Sequence, residues 1–281
     1  MANHPRDSIL TNLRALLAPD LPAGAAPAGG GRRRVALLAL DGVVVGTVAG
    51  VVLGVALGVL VGLVVAVAVC ALLVVLVARR ARTYPLRVLG AEPAEEGDHP
   101  ALYNLLEGLC ATFGLRPPRL MVVEDEVPNA CSFGPEGRAT VVVTSGLVRC
   151  LDLIEMEGVM AHELAHVKRH DAAVSAVAVT ALAPLVFVTG SDQLVHRAVG
   201  RGREYLADQL ATALVRYPPG LHDALALMES APPPGPESVF SGRRFALTRW
   251  AWIDPMVTHR DASLVGDLDA TPVRIAALGE L

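Results

Sequence analysis

Residues 151–171 read LDLIEMEGVMAHELAHVKRHD, and the pentamer His162-Glu163-Leu164-Ala165-His166 within them decides how the chain is read. The flanking pattern is helical from Leu153 to about His170. Asp152 stands where a side chain accepts from first-turn amides, and Glu155 follows three residues on, a variant of the capping box. On a helix, residues four apart differ by roughly 40° in direction and lie about one turn apart, so both imidazoles reach one ion. Glu163 faces the same side, within reach of a water at that ion.

A catalytic zinc keeps three protein ligands and one open position, so a third ligand is required. His170 lies roughly 12 Å further along the helix axis than His162, too far to share its ion, and reads as a helix-end or surface histidine. The metzincin continuation would need Gly and His at positions occupied by Arg169 and Ala172, which excludes that class. What remains is an acid on a later helix. Arg203-Glu204-Tyr205-Leu206-Ala207-Asp208 offers two acids one turn apart: Glu204 to bind the metal, Asp208 to orient a ligand imidazole.

Composition places this site in a membrane setting. The chain has 281 residues, enough for an anchor and one domain of ordinary size. Its hydrophobic fraction is 53% with only 4% aromatics, and its mean hydropathy is +0.47, an excess of Val, Ala and Leu that must be concentrated somewhere. A net charge of -4 argues against a nucleic-acid partner. Cys70, Cys110, Cys131 and Cys150 form no CxxC pair and read as reduced thiols.

From Val35 to Ala78 the only charge is Asp41, with Arg32, Arg33 and Arg34 before the run and Arg79, Arg80 and Arg82 after it. One straight helix over that run would be roughly 66 Å long, against a hydrocarbon core of roughly 30 Å, so two spans fit and one does not. A hairpin puts both arginine clusters on one side, the cytoplasmic side under the positive-inside bias, and the catalytic domain with them. Gly42, Gly46, Gly50, Gly54, Gly58 and Gly62 form a ladder of GxxxG steps that suits close packing, within the hairpin or between subunits of a homo-oligomer. The chain therefore divides into a disordered tail over 1–34, a membrane anchor of two transmembrane helices over 35–83, and a domain carrying the metal motif over 84–281, in a multi-pass protein of the inner membrane.

Within that domain, His99 to Phe113 reads as a helix. Arg119 to Glu124 and Ala139 to Thr144 read as strands of a hairpin with a long loop. His196 to Arg216 reads as a further helix, and a short helix closes the chain near Val273.

These residues resemble the HtpX-like integral-membrane peptidases, whose core is the gluzincin fold. Pro128-Asn129-Ala130-Cys131-Ser132 is similar to that family's Asn-Ala stretch before the active-site strand, and Val141 to Leu147 to its strand-to-helix passage. His162 to Asp171 resembles the long metal motif, Arg203 to Asp208 the Glu-ligand helix, and Thr271-Pro272 with Arg274-Ile275 the closing segment, with Thr where the family often has His. The resemblance implies an α+β, mainly helical zincin-like domain with a small β-hairpin or sheet behind a transmembrane hairpin. Family members often carry two further spans between the two metal helices, whereas only one apolar run, Ala172 to Gly190, lies there in this chain. A single crossing would put His166 and Glu204 on opposite faces of the bilayer, so the run reads as a buried or shallowly inserted helix broken near Pro184.

The implied chemistry is hydrolysis of extended polypeptides with one catalytic zinc, which acidifies a water and polarises the scissile carbonyl, and with Glu163 as general base. Asn129, with His259 behind it, is the candidate donor to the oxyanion. Ala139 to Thr144 is the candidate edge strand for an extended substrate. Quality control of unfolded or membrane-associated proteins is the function the resemblance implies. A regulatory protease acting on one partner and a non-catalytic zinc scaffold are the alternatives, and the intact Glu163 argues against the scaffold.

Overall fold

The computed structural model describes residues 42–53, 58–256 and 269–281. The tail over 1–34, the start of the apolar run, Gly54 and His259 lie outside the described residues. Two apolar helices come first, α1 (Gly42–Leu53) and α2 (Val59–Arg80). They touch through glycine: a β-carbon on Gly46 would collide with Cys70 Sγ and the Ala66 carbonyl, and one on Gly50 with Ala66 and the Gly62 carbonyl. The Cys70 thiol donates to the Gly42 carbonyl at 3.0 Å, a bond that this close backbone approach permits.

The remaining described chain is mainly helical with one small sheet. After α3 (Tyr84–Leu89) come β1 (Glu92–Pro93), α4 (Pro100–Phe113), β2 (Arg119–Val123), β3 (Ala130–Phe133) and β4 (Thr140–Thr144). The sheet order is β1-β2-β4-β3, with β2 parallel to β4 and β3 antiparallel to it. This corrects the expected hairpin. The segment between β2 and β4 carries a strand of its own, which pairs with β4 and leaves β2 to join from the other side. Consequently Thr140 to Thr144 is an inner strand, buried at every position, and not the substrate edge expected of it. Its unbroken Val141-Val142-Val143 run suits a strand covered on both faces. The outer edge of β3 is in use at its start, where the Ile253 amide donates to the Ala130 carbonyl at 2.9 Å, and just past its end the Gly134 amide donates to the Ala172 carbonyl at 3.0 Å.

Beyond α5 (Ser145–Cys150) lies α6 (Leu153–Lys168), the helix of the pentamer. Its capping box is complete, with Asp152 Oδ1 accepting from the Ile154 and Glu155 amides and Glu155 Oε2 accepting from the Asp152 amide at 2.8 Å. It is buried almost continuously from Met156 to Val167, wrapped by α4, α9 (Arg203–Val215), α10 (Pro218–Glu229) and β3. Gly158 makes room for α10, since a β-carbon there would stand 2.5 Å from the Leu221 amide nitrogen.

α7 (Asp171–Thr189) starts directly after α6 at His170, which is exposed and left-handed at φ 65°. It runs unbroken through Pro184, contrary to the expected break. The missing amide removes one hydrogen bond, and burial of Leu182, Ala183 and Val186 offsets that loss. The expected helix from His196 to Arg216 is in fact two, α8 (Gln193–Val199) and α9, because Gly200 and Gly202 take φ of 85° and 73° and turn the chain. α11 (Gly242–Thr248), a 3-10 turn (Arg249–Ala251) and α12 (Thr271–Gly279) complete the described elements.

Candidate metal centre

α6 presents His162, Glu163 and His166 on its buried face, and the first turn of α9 brings Glu204 to them. His162 Nε2 lies 3.0 Å from His166 Nε2 and 3.0 Å from Glu204 Oε2, and His166 Nε2 lies 3.2 Å from the same oxygen. Among the described residues this is the group of side chains that could hold a metal ion. Ligand atoms about 2.05 Å from a tetrahedral zinc would lie about 3.3 Å apart, so the triangle matches one face of such a shell.

The far side of each imidazole explains why these atoms meet. His162 Nδ1 lies 2.7 Å from Asp208 Oδ1, and His166 Nδ1 lies 3.3 Å from Asp171 Oδ2. A carboxylate accepts only, so each Nδ1 carries the donated hydrogen and each Nε2 turns a lone pair inward. Two lone pairs and a carboxylate oxygen at about 3 Å repel one another unless a cation or a proton stands among them. Five buried carboxylates, on Glu163, Asp171, Glu204, Asp208 and Asp269, outnumber the two buried guanidiniums, on Arg203 and Arg274, and a cation among them offsets that excess. The residues present therefore fit a metal of the zinc type.

The carboxylates are held by the chain around them. Arg203 Nε donates to Glu204 Oε1 at 2.8 Å and leaves Oε2 for the cluster, while its Nη1 donates to Ser175 Oγ on α7 at 2.6 Å. Asp269 accepts from the Glu204 and Gly202 amides at 2.8 and 2.6 Å and so fixes the start of α9. Arg274, fully buried, donates from Nε and Nη2 to the two oxygens of Asp208 at 2.7 and 2.8 Å. Burial works against ionising Glu204, yet His166 and Arg203 pull its carboxyl well below the ordinary glutamate range. Burial likewise opposes a charged Asp208, and Arg274 overcomes it. For Asp269, burial and the Glu204 charge push the carboxyl up to about 6.

Glu163 behaves differently. It is fully buried, and neither carboxylate oxygen has a hydrogen-bond partner. Burial lifts its pKa above the ordinary glutamate range against the lowering influence of His162 and His166. An unpartnered carboxylate at a cluster of ligand atoms is unsatisfied by the fold and available to a reactant.

Asn129 is placed otherwise than expected. Its Nδ2 donates to the Asp254 carbonyl at 2.8 Å, and its Oδ1 accepts from the Ala130 and Asp254 amides at 3.0 and 3.2 Å. That side chain ties β3 to the segment after the 3-10 turn, a bracing role that leaves the oxyanion donor unassigned to it. Asp171, Arg203 and Arg274 entered the sequence analysis only as members of segments that resemble the family's motifs, without a role of their own, and Asp269 did not enter it at all.

A helix-borne His-Glu-x-x-His pair is thus closed by a glutamate from a second helix, the arrangement that the resemblance to HtpX-like peptidases implies. Residues 98–227 match the model of peptidase family M48. The chain is 36% identical over 174 residues to a protease HtpX homologue of Tropheryma whipplei, covering 50% of this chain and 60% of the relative. It is 34% identical over 168 residues to one of Dictyoglomus thermophilum (48% and 55%), and 33% identical over 171 residues to one of Salinibacter ruber (52% and 62%). The matches thus span less than two thirds of these relatives' length. No solved structure matches the chain.

Proposed function

We propose that the chain is a membrane-anchored zinc endopeptidase that hydrolyses peptide bonds in unfolded or membrane-associated proteins, in the service of protein quality control. The observation that carries the reading is the meeting of His162 Nε2, His166 Nε2 and Glu204 Oε2 within 3.2 Å of one another, each imidazole turned inward by a carboxylate behind it. In this reading these three residues hold one zinc, which supplies a Lewis acid to polarise a scissile carbonyl and acidify a water. Glu163 takes the proton of the attacking water and returns it to the leaving amine. Its raised pKa and free oxygens suit both transfers.

The anchor is the hairpin of α1 and α2. Val61–Arg80 is long and apolar enough to cross a bilayer, and the packing of Gly46 and Gly50 on Ala66 and Cys70 uses the ladder within one chain, which favours the hairpin over an oligomer contact. The arginines at either end of the apolar run favour a multi-pass inner-membrane protein with its catalytic domain on the cytoplasmic side.

The test is zinc content and hydrolysis of a mixture of unfolded polypeptides by detergent-purified full chain, beside Glu204→Ala and Glu163→Gln. One equivalent of zinc in the parent, a large loss in Glu204→Ala, and retained zinc without hydrolysis in Glu163→Gln are expected. Equal zinc in parent and Glu204→Ala would overturn the ligand set, and hydrolysis by Glu163→Gln would overturn the base.

A further inference from the structure

The last turns of α7 emerge from the domain. No charged residue lies between Asp171 and Asp192. The first part of the helix is buried in the core, but Leu185, Phe187 and Val188 are 42%, 37% and 79% exposed, and Leu194 on α8 is 38% exposed. Single exposed apolar side chains are ordinary, whereas a cluster at one helix end marks a contact surface. α2, with its own exposed Val and Leu side chains, also packs against α7. Arg197, Arg243 and Arg244 are exposed in the same part of the fold, and Arg243 donates to the Phe187 carbonyl.

An apolar tip accompanied by arginines suits the boundary between acyl chains and anionic headgroups. We infer that the C-terminal end of α7, with Leu185, Phe187, Val188 and Leu194, is embedded in that boundary as a second membrane contact of the domain. The inference rests on reading α1 and α2 as the membrane anchor. It gives α7 a mechanical part as well. The helix begins at Asp171, which meets His166, and Ser175 meets Arg203, so its inner end touches the supports of two proposed metal ligands. At about 1.5 Å per residue, Val188 lies about 20 Å along the helix from Ser175. The embedded tip would thus hold the metal cluster at a set distance from the bilayer.

The experiment uses the full chain in vesicles of phosphatidylcholine and phosphatidylglycerol, with a nitroxide at Val188→Cys, at Val64→Cys on α2 or at the exposed Tyr217→Cys, each in a Cys150→Ser background whose own signal is subtracted. Collision with oxygen is compared with collision with a water-soluble nickel chelate. Oxygen should prevail several-fold at positions 64 and 188, and the chelate at 217. Chelate access at 188 equal to that at 217, with 64 still in lipid, would overturn this inference and leave the anchor intact. Chelate access at 64 as well would overturn both.

Discussion

Asp208 serves two partners at once, accepting from His162 Nδ1 at 2.7 Å and from two nitrogens of Arg274 at 2.7 and 2.8 Å. The histidine and the arginine need it for different reasons, and two substitutions separate them. Asp208→Asn keeps the shape but weakens the acceptor behind His162, and zinc affinity should fall about ten- to a hundred-fold, read by chelator competition. Arg274→Met instead leaves the buried Asp208 carboxylate without its cation and with only His162 as side-chain partner, which should cost about 3–5 kcal/mol in denaturant unfolding of the metal-free protein. If Arg274→Met unfolds at the parental denaturant concentration, the ion pair is not a structural element.

Glu163 is a weak point of the fold for the reason that suits it to chemistry. A buried group without partners costs roughly 1–3 kcal/mol, so metal-free Glu163→Met should be more stable than the parent by about that amount at neutral pH. The sign with pH follows from the raised pKa. Above it the charged carboxylate opposes folding, and as pH falls through it the carboxyl takes up a proton and the penalty disappears. The gap in melting temperature should therefore narrow on acidification, and a gap that widened would contradict the direction of the shift.

How far the site was legible in sequence follows the range of the forces involved. His162, Glu163 and His166 depend only on the rise and turn of one helix, and Glu204 on the need for a third ligand, so short motifs reveal them. Arg274 lies 66 residues from Asp208, and nothing local to either announces the pair. The strand order failed for a similar reason. The segment after β2 looked like a loop because Pro128, Gly134, Pro135 and Gly137 crowd around Ala130 to Phe133, yet pairing with β4 makes those four residues a strand. Pro184 was read by propensity alone, which packing along α7 overrides.

Gly158 sets the distance between the metal helix and α10. Its missing side chain lets the Leu221 amide nitrogen approach to 2.5 Å of where a β-carbon would stand. Because the obstacle is backbone, it has no rotamer by which to yield. Gly158→Ala should destabilise the domain by about 1–3 kcal/mol despite its better helix propensity. A change within a few tenths of a kcal/mol in denaturant unfolding would mean that α10 shifts freely and that the contact does not set the position of α6.

The four cysteines should react in an order set by burial. Burial pushes the Cys131 thiol well above the ordinary range, and burial together with Glu107 pushes Cys110 up to about 11. Thiolate is the reactive form, so at about pH 8 Cys110 is about a thousand-fold depleted in it. The exposed Cys150 should be modified first by a water-soluble maleimide, with Cys131 reacting only on unfolding. Peptide mass mapping over time checks the order. Early modification of Cys131 would show that the sheet beside α6 opens readily.

Binding of the metal should displace a proton. Without a cation, burial works to lower the His166 pKa, but Glu204 and Asp171 outweigh it and push it up to about 9. At neutral pH the metal-free centre then carries a proton among the same atoms that would face the ion. A proton there relieves the repulsion between inward-facing acceptors, as a cation would, and the two cannot occupy the place together. Apparent zinc affinity should therefore rise about tenfold per pH unit up to about pH 9 and level off above it. Calorimetry in two buffers of different ionisation enthalpy counts the protons directly. Release of a proton at about pH 7 is the expected result. Zinc binding without it would mean that His166 is already neutral in the metal-free protein, and that Glu204 and Asp171 do not hold a charge on it.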